Sequence, residues 1–193
     1  MKLTSALLLN AYSQGIFPMA DEDGAIYWYD PDPRAIIPLE NFHVSRSLAR
    51  TIKQGKFEIR VDSAFRAVMQ ACAEPGPDRE VTWISPKIIE AYCELHALGF
   101  AHSVETWMEG KLVGGLYGVT LGGLFAGESM FSRARDSSKV AMVYLVERLR
   151  RGGFVLLDTQ FMTDHLRRFG TIEIPREEYQ ARLAHALTVW ARF

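Results

Sequence analysis

The stretch from Ala101 to Leu157 leaves this chain few folds to choose from. Three β-prone runs, Ala101 to Met108, Leu112 to Thr120 and Leu124 to Phe131, are separated only by Glu109-Gly110 and by Gly122-Gly123. Connections that short join antiparallel neighbours, so the three runs form a meander. Asp136 or Ser137 then caps a long helical pattern that stops at Gly152-Gly153. Phe154-Val155-Leu156-Leu157 follows, a continuous apolar run suited to a central strand covered on both faces. A short helix ending at Gly170 and a last one opened by Pro175 complete the order. A meander, a helix, a buried strand and further helices make an α/β (α+β) domain, N-acetyltransferase-like, with an antiparallel or mixed central sheet flanked by helices. Fold alone leaves function open.

Ahead of that region the signals are shorter. A helix ends at Gly15, and Ile26-Tyr27-Trp28 lies among the acidic, proline-rich loops from Asp21 to Arg34. Ser45 caps a second helix, Phe57 to Val61 reads as a strand, and Asp62-Ser63 caps a helix through Ala73. Glu74-Pro75-Gly76-Pro77 is a loop, and Val81-Thr82-Trp83-Ile84 is strand-like. Ser85 and Pro86 then form the N-cap and first turn of a helix that Gly99 terminates. Residues 1–62 are expected to be a small N-terminal segment and residues 63–193 the acyltransferase-like domain.

Several function classes drop out at once. Lys2 ahead of Ala6-Leu7-Leu8-Leu9 imitates a signal peptide, but Asn10 interrupts the apolar run and no small-residue cleavage site follows. No apolar stretch approaches the roughly 20 residues that cross a bilayer, so a cytoplasmic protein without a membrane partner is expected. Cys72 and Cys93 stand alone in separate helical patterns, and the five histidines show no ligand spacing, so neither a disulfide framework nor a metal site is expected. The net charge of −1 gives no global attraction for nucleic acid. A local patch is available instead: Arg46, Arg50, Lys53, Lys56 and Arg60 face a single acid, Glu58.

Two segments carry candidate chemistry. Glu128 sits inside the apolar strand Phe125-Ala126-Gly127-Glu128-Ser129-Met130-Phe131, where a carboxylate is costly without a partner. In Leu157-Asp158-Thr159-Gln160 the two-residue period puts Asp158 and Gln160 on one face at the end of the central strand, towards any crevice that opens there. End-of-strand polar pairs also cap helices or bind water, and the residues by themselves leave both uses open.

With these segments stand Thr82-Trp83-Ile84-Ser85, the run from Leu98 to Glu105, the run from Val113 to Val119, Gly15-Ile16-Phe17-Pro18 and Asp30-Pro31-Asp32-Pro33-Arg34. In this order, from Ala11-Tyr12 through Tyr179, the chain resembles the leucyl/phenylalanyl-tRNA-protein transferase family. The resemblance implies transfer of Leu or Phe, and also Met, from aminoacyl-tRNA to the N-terminal Lys or Arg of acceptor proteins, which marks them for N-degron degradation. It implies no cofactor, an enzyme acting as a monomer, and Asp158, Gln160 and Glu128 at the catalytic centre. It points to Leu116, Phe125, Met130, Leu145, Leu149 and Leu157 as the pocket for the donor side chain, although Leu145 and Leu149, four apart on a helix, also suit an ordinary core. The family carries aromatics at these two helix positions, and Met19 stands where it has a second tryptophan. Trp83 is the implied platform for the terminal adenine, since every base can stack on an indole. Arg46, Arg50 and Lys53, at helical spacing, are the implied tRNA contacts; a solvated helix face is the alternative.

Two rivals remain at this point. An acyl-CoA-dependent N-acetyltransferase shares the expected fold, but its glycine-rich pyrophosphate turn has no counterpart in Arg133-Ala134-Arg135-Asp136-Ser137-Ser138-Lys139. A non-catalytic tRNA-binding module would make Asp158 and Gln160 dispensable.

Overall fold

The structure is a computed structural model that describes residues 3–75 and 82–193. Helix α1 (Ser5–Ser13) leads into a two-stranded ribbon of β1 (Phe17–Ala20) and β2 (Ile26–Tyr29). Then come β3 (Arg34–Ile37), α2 (Arg46–Lys53), β4 (Glu58–Val61), α3 (Phe65–Ala73) and α4 (Pro86–Ala97). The expected meander is β5 (Ala101–Met108), β6 (Lys111–Leu121) and β7 (Leu124–Ser132), followed by α5 (Ser137–Gly152) and β8 (Leu156–Gln160). The chain closes with α6 (Asp164–Arg167), β9 (Ile172–Ile174) and α7 (Arg176–Ala186).

Seven strands form one mixed sheet in the order β4-β5-β6-β7-β8-β3-β9. All neighbours are antiparallel except β7 and β8, which α5 joins as a parallel pair. Parallel neighbours need a crossover, and only the long helix between Asp136 and Gly153 supplies one. Strands β3 and β4, from before the expected boundary at residue 62, lie in the same sheet as β5 to β9.

Alternation along the strands splits the core in two. Tyr117, Leu124, Ala126 and Leu156 pack under α1, α3, α4 and α7, whereas Leu116, Phe125 and Leu157 pack under α2, α5 and α6. Each fully buried Leu or Phe contributes roughly 1.5–3 kcal/mol, so both layers are needed to hold the sheet. Beyond Ala126 and Asp158 the parallel pairing stops: β7 continues along β6 while β8 continues along β3. The two carboxyl ends therefore diverge, and a crevice opens between them.

Local expectations fail where tertiary partners win. Asp62 and Ser63 do not cap α3, which has no side-chain cap; the Glu105 carboxylate on β5 instead holds the turn ahead of it, accepting from the Ser63 and Ala64 amides at 3.0 and 2.8 Å and from the Ser63 hydroxyl. Asp62 instead accepts from the Ser103 amide and bonds His102. Thr82-Trp83-Ile84 is no strand, because the Thr82 hydroxyl accepts the Ile84 amide and the Trp83 carbonyl accepts the Ala20 amide. Val81 and the Gly76-Pro77 part of the expected loop lie outside the described residues. Phe154 is not in β8: its amide closes α5 on the Leu149 carbonyl. Asp136 does precede α5, but its carboxylate bonds Lys139 and Thr51 rather than a helix amide.

Candidate active site

Arg34 opens β3 with 1% of its surface exposed, and its guanidinium is satisfied on every side. Nε and Nη2 donate to the two Asp158 oxygens at 3.0 and 2.6 Å, and Nη1 donates to the Gly15 carbonyl at 2.7 Å. Its plane lies over the Tyr179 and Phe17 rings, at 4.2 and 4.9 Å from their centroids. The approach needs glycine at position 15, where φ is +80° and a Cβ would press on Tyr179 and Gln180. Burial works against the Arg34 charge, but the hydrogen bonds and charge of Asp158 outweigh it and hold its pKa above the ordinary value. A forked, fully paired arrangement of this kind tolerates burial that an isolated charge would not.

Asp158 also accepts from the Tyr179 hydroxyl at 2.9 Å and from the Gln160 amide at 2.8 Å. The expectation that Asp158 and Gln160 share one face is corrected here. Leu157 and Thr159 face the crevice and Asp158 points behind the sheet into the Arg34 network. Thr159 is an extra residue in the β3–β8 register, and Gln160 adopts φ = +66°, which swings its side chain back into the crevice. A non-glycine residue there carries strain of about 1–3 kcal/mol, and such residues cluster at functional sites.

Glu128 is placed by a second irregularity. Tyr117 pairs with Ser129 and Gly118 with Gly127, so Glu128 is the bulged residue of β7. Bulges re-aim side chains. Its Oε1 accepts from the Tyr12 hydroxyl at 2.6 Å and from Gln160 Nε2 at 3.0 Å, and Tyr92 donates in turn to Tyr12 at 2.5 Å. Its Oε2 is sealed from solvent and has no hydrogen-bond partner among the described residues. Burial, reinforced by the Asp158 charge, pushes the Glu128 carboxyl up to about 8, against the pull of the Tyr12 and Gln160 hydrogen bonds and of Arg34. The Tyr12 phenol is raised by burial and by Glu128. With Nε2 donating to Glu128, the carbonyl oxygen of Gln160 is left to accept a hydrogen bond from a ligand.

The crevice is a cavity of about 720 Å³ lined by Glu128 and Gln160 together with Leu116, Met130, Met142, Leu145 and Leu157. Phe125 and Leu149 do not reach it. Both are fully buried on the same side of the sheet as Leu145 and Leu157, but deeper: Leu149 lies one turn further along α5 than Leu145, and Phe125 lies on β7 ahead of the point where β7 and β8 diverge. Trp83, Met19, Phe17 and Phe161 line the same cavity.

A family model described as leucyl/phenylalanyl-tRNA protein transferase matches residues 36–184, and the model of that family's N-terminal domain matches residues 1–32. The chain belongs to the leucyl/phenylalanyl-tRNA protein transferase family. The leucyl/phenylalanyl-tRNA–protein transferase of Herpetosiphon aurantiacus is 65% identical over 193 residues, covering 100% of this chain and 98% of that one. Those of Paramagnetospirillum magneticum and Phenylobacterium zucineum are 58% and 60% identical, over 97% and 96% of this chain and 92% and 85% of theirs. Among solved structures, L-PGS from Bacillus licheniformis is similar at 13% identity and a TM-score of 0.46, over 77% of this chain and 49% of that one.

Membership in this transferase family makes the chain an aminoacyltransferase. Of the side chains that the family resemblance singled out, the structure gathers Glu128, Gln160, Leu116, Met130, Leu145, Leu157 and Trp83 around one cavity, with Asp158 behind them. Arg46, Arg50 and Lys53 are exposed on α2, outside that wall. Helix α2 packs on α5 and is tied to the start of α5 by the Thr51 hydroxyl, which donates to Asp136 at 3.4 Å. Sequence reasoning missed Arg34, Tyr179, Tyr12 and Tyr92 as partners of the site. One signal was present: a lone arginine heading the apolar run Ala35-Ile36-Ile37 needs a buried anion, and Asp158 inside its own apolar strand is the matching one. Among the described residues, no helix is long and apolar enough to cross a membrane.

Proposed function

We propose that this enzyme transfers leucine or phenylalanine, and also methionine, from aminoacyl-tRNA to the N-terminal Lys or Arg of acceptor proteins, marking them for N-degron degradation. It acts as a cytoplasmic monomer. The observation that carries the reading is the pair of unsatisfied groups above an apolar cavity: the Gln160 carbonyl, free to accept, and the sealed Glu128 Oε2. The donor side chain enters between Leu116, Met130, Leu145 and Leu157, where a difference of one methylene is worth about 1–3 kcal/mol.

The reaction is aminolysis of an activated ester. The acceptor's α-amine, with a pKa of about 7.7–8.0, already has a useful neutral fraction near pH 7.5, so positioning counts for more than a strong base. Gln160 accepts a hydrogen bond from the attacking amine and holds its lone pair on the ester carbonyl. The new C–N bond forms as the bond to the ribose oxygen breaks, and the amine's surplus proton ends on that oxygen. At neutral pH Glu128 carries a proton, which belongs on Oε2 because Oε1 already accepts two bonds; the α-amine of the donor aminoacyl group, whose lone pair the reaction does not use, is the partner that oxygen lacks. Asp158 is a positioning residue, holding the backbone of Gln160 through its amide while Arg34 and Tyr179 hold Asp158.

Charged tRNA and a peptide beginning with Lys or Arg test the reading. Transfer should occur, and Gln160→Ala and Asp158→Asn should each lower kcat by about 10² or more with the fold retained. Undiminished turnover in Gln160→Ala would remove that residue from the mechanism, and absence of transfer by the unaltered enzyme would remove the function.

A further inference from the structure

Two polar groups in the cavity wall have no part in the transfer chemistry described above. Ser138 is 5% exposed and lines the cavity, yet its hydroxyl has no hydrogen-bond partner among the described residues. His165 lines the same wall with its Nε2 buried and without a partner among the described residues. An unmet buried polar group costs about 1–3 kcal/mol, so the His165 Nε2, beside a Ser138 hydroxyl that lines the cavity without a partner, marks a place for a ligand that satisfies both.

Their setting specifies the ligand's charge. Ser138 is the second residue of the 16-residue helix α5. The amides of Ser138 and Lys139 find no backbone acceptor among the described residues, whereas those of Ser137 and Val140 do. The amino end of a long helix carries partial positive charge, and its free N–H groups gather an anion. Burial, with the Lys139 and Arg168 cations close by, holds the His165 pKa below its ordinary value. A neutral imidazole protonated on Nε2 still donates. Two carboxylates are near. Asp136 is already engaged by Lys139 at 2.8 Å, Thr51 at 3.4 Å and Arg135 at 3.9 Å, and Asp164 lines the cavity from the first turn of α6.

We infer that the amino end of α5, with the Ser138 hydroxyl and the His165 imidazole, seats a phosphate group, the last phosphodiester of the charged tRNA. The assignment rests on the function proposed above. A cavity of this volume holds a whole small ligand rather than one amino-acid side chain. The same wall carries Trp83 for a base, an apolar pocket for the aminoacyl group and an anion seat, which together match an aminoacyl nucleotide. The Ser138 hydroxyl, the Ser138 and Lys139 amides and, as its Nε2–H tautomer, the His165 imidazole can all donate at the seat, so a phosphodiester fits where a carbonyl alone would leave donors unmet.

The test compares two non-hydrolysable donor analogues on the intact enzyme: phenylalanine amide-linked to adenosine, with and without a phosphate on the ribose 5′ oxygen. The phosphorylated analogue should bind about tenfold more tightly, as expected for one charge-assisted anion contact. Ser138→Ala should bring the ratio towards one, and Ser138→Asp, which sets a carboxylate in the seat, should invert it. His165→Phe should lower the ratio as well. Equal affinity of the two analogues for the unaltered enzyme, with transfer from charged tRNA intact, would overturn the phosphate seat alone. If neither analogue binds and no transfer occurs, the function beneath it falls too.

Discussion

Replacing Glu128 by Gln offers the most direct reading of the buried carboxyl. Its pKa lies at about 8 in the folded protein against an ordinary 4.5, so the folded state holds a proton that the unfolded chain has released. Folding therefore takes up a proton between those pH values, and stability falls as pH rises through the window. The contribution is fully favourable below about pH 4.5 and exhausted above about pH 8. At about 1.4 kcal/mol per pH unit, the span from 4.5 to about 8 corresponds to on the order of 5 kcal/mol. Gln keeps an oxygen to accept from Tyr12 and Gln160 and cannot ionise. Urea unfolding of both proteins, followed from about pH 5 to pH 9, should show the variant gaining stability relative to the parent as pH rises, with the difference levelling off above about pH 8. Parallel curves for the two proteins would refute a buried, protonated Glu128, and a gain on acidification would reverse the sign of the argument.

Arg34→Met should destabilise the fold by about 3–5 kcal/mol in the same assay by leaving Asp158 uncompensated, and adding Asp158→Leu should recover much of the loss. No recovery in the double variant would mean that the guanidinium's packing on Tyr179 and Phe17 matters more than its charge. Met130→Ala should alter the ratio of leucine to phenylalanine transfer, whereas Phe125→Ala should cost about 3–5 kcal/mol of stability without changing that ratio; a changed ratio in the second variant would return Phe125 to the pocket. Arg46→Ala combined with Arg50→Ala should flatten the slope of log tRNA affinity against log salt by about 1 to 2, and an unchanged slope would leave α2 as a solvated surface.

The elements were legible wherever punctuation was local. Glycine pairs fixed the meander, and Ser45, Ser85 and Pro86 fixed helix starts that the structure keeps. What escaped depended on partners distant in sequence. The Ser63 hydroxyl and the amides ahead of α3 are taken by Glu105, about forty residues downstream, so no local rule could foresee that Ser63 leaves the helix uncapped. Period-two reasoning grouped Asp158 with Gln160, but the register shift at Thr159 and the left-handed turn at Gln160 arise from pairing with β3 and break the period. Met130 and Leu145 reach the cavity while Phe125 and Leu149 do not, a difference of depth along one buried face that hydrophobicity alone cannot express. Arg34 was visible as a motif residue, and its partner as an acid at the end of an apolar strand; only the sheet order joins them.

That joint has a consequence for how the enzyme comes to life. The Arg34–Asp158 contact spans 124 residues and the Arg34–Tyr179 contact 145, so the scaffold of Gln160 is closed by side chains from the first and last fifths of the chain. Chain closures of that length come late, after the local hairpins and helices have formed. A nascent polypeptide whose α7 is still within the ribosome has its meander but no Tyr179 to brace Asp158, and it should be silent in transfer. In refolding from urea, recovery of activity should trail recovery of helical signal and keep pace with protection of Arg34's strand from hydrogen exchange; activity returning together with the first helical signal would contradict this order. An enzyme assembled in this way should not act on its donor before α7 has emerged and docked.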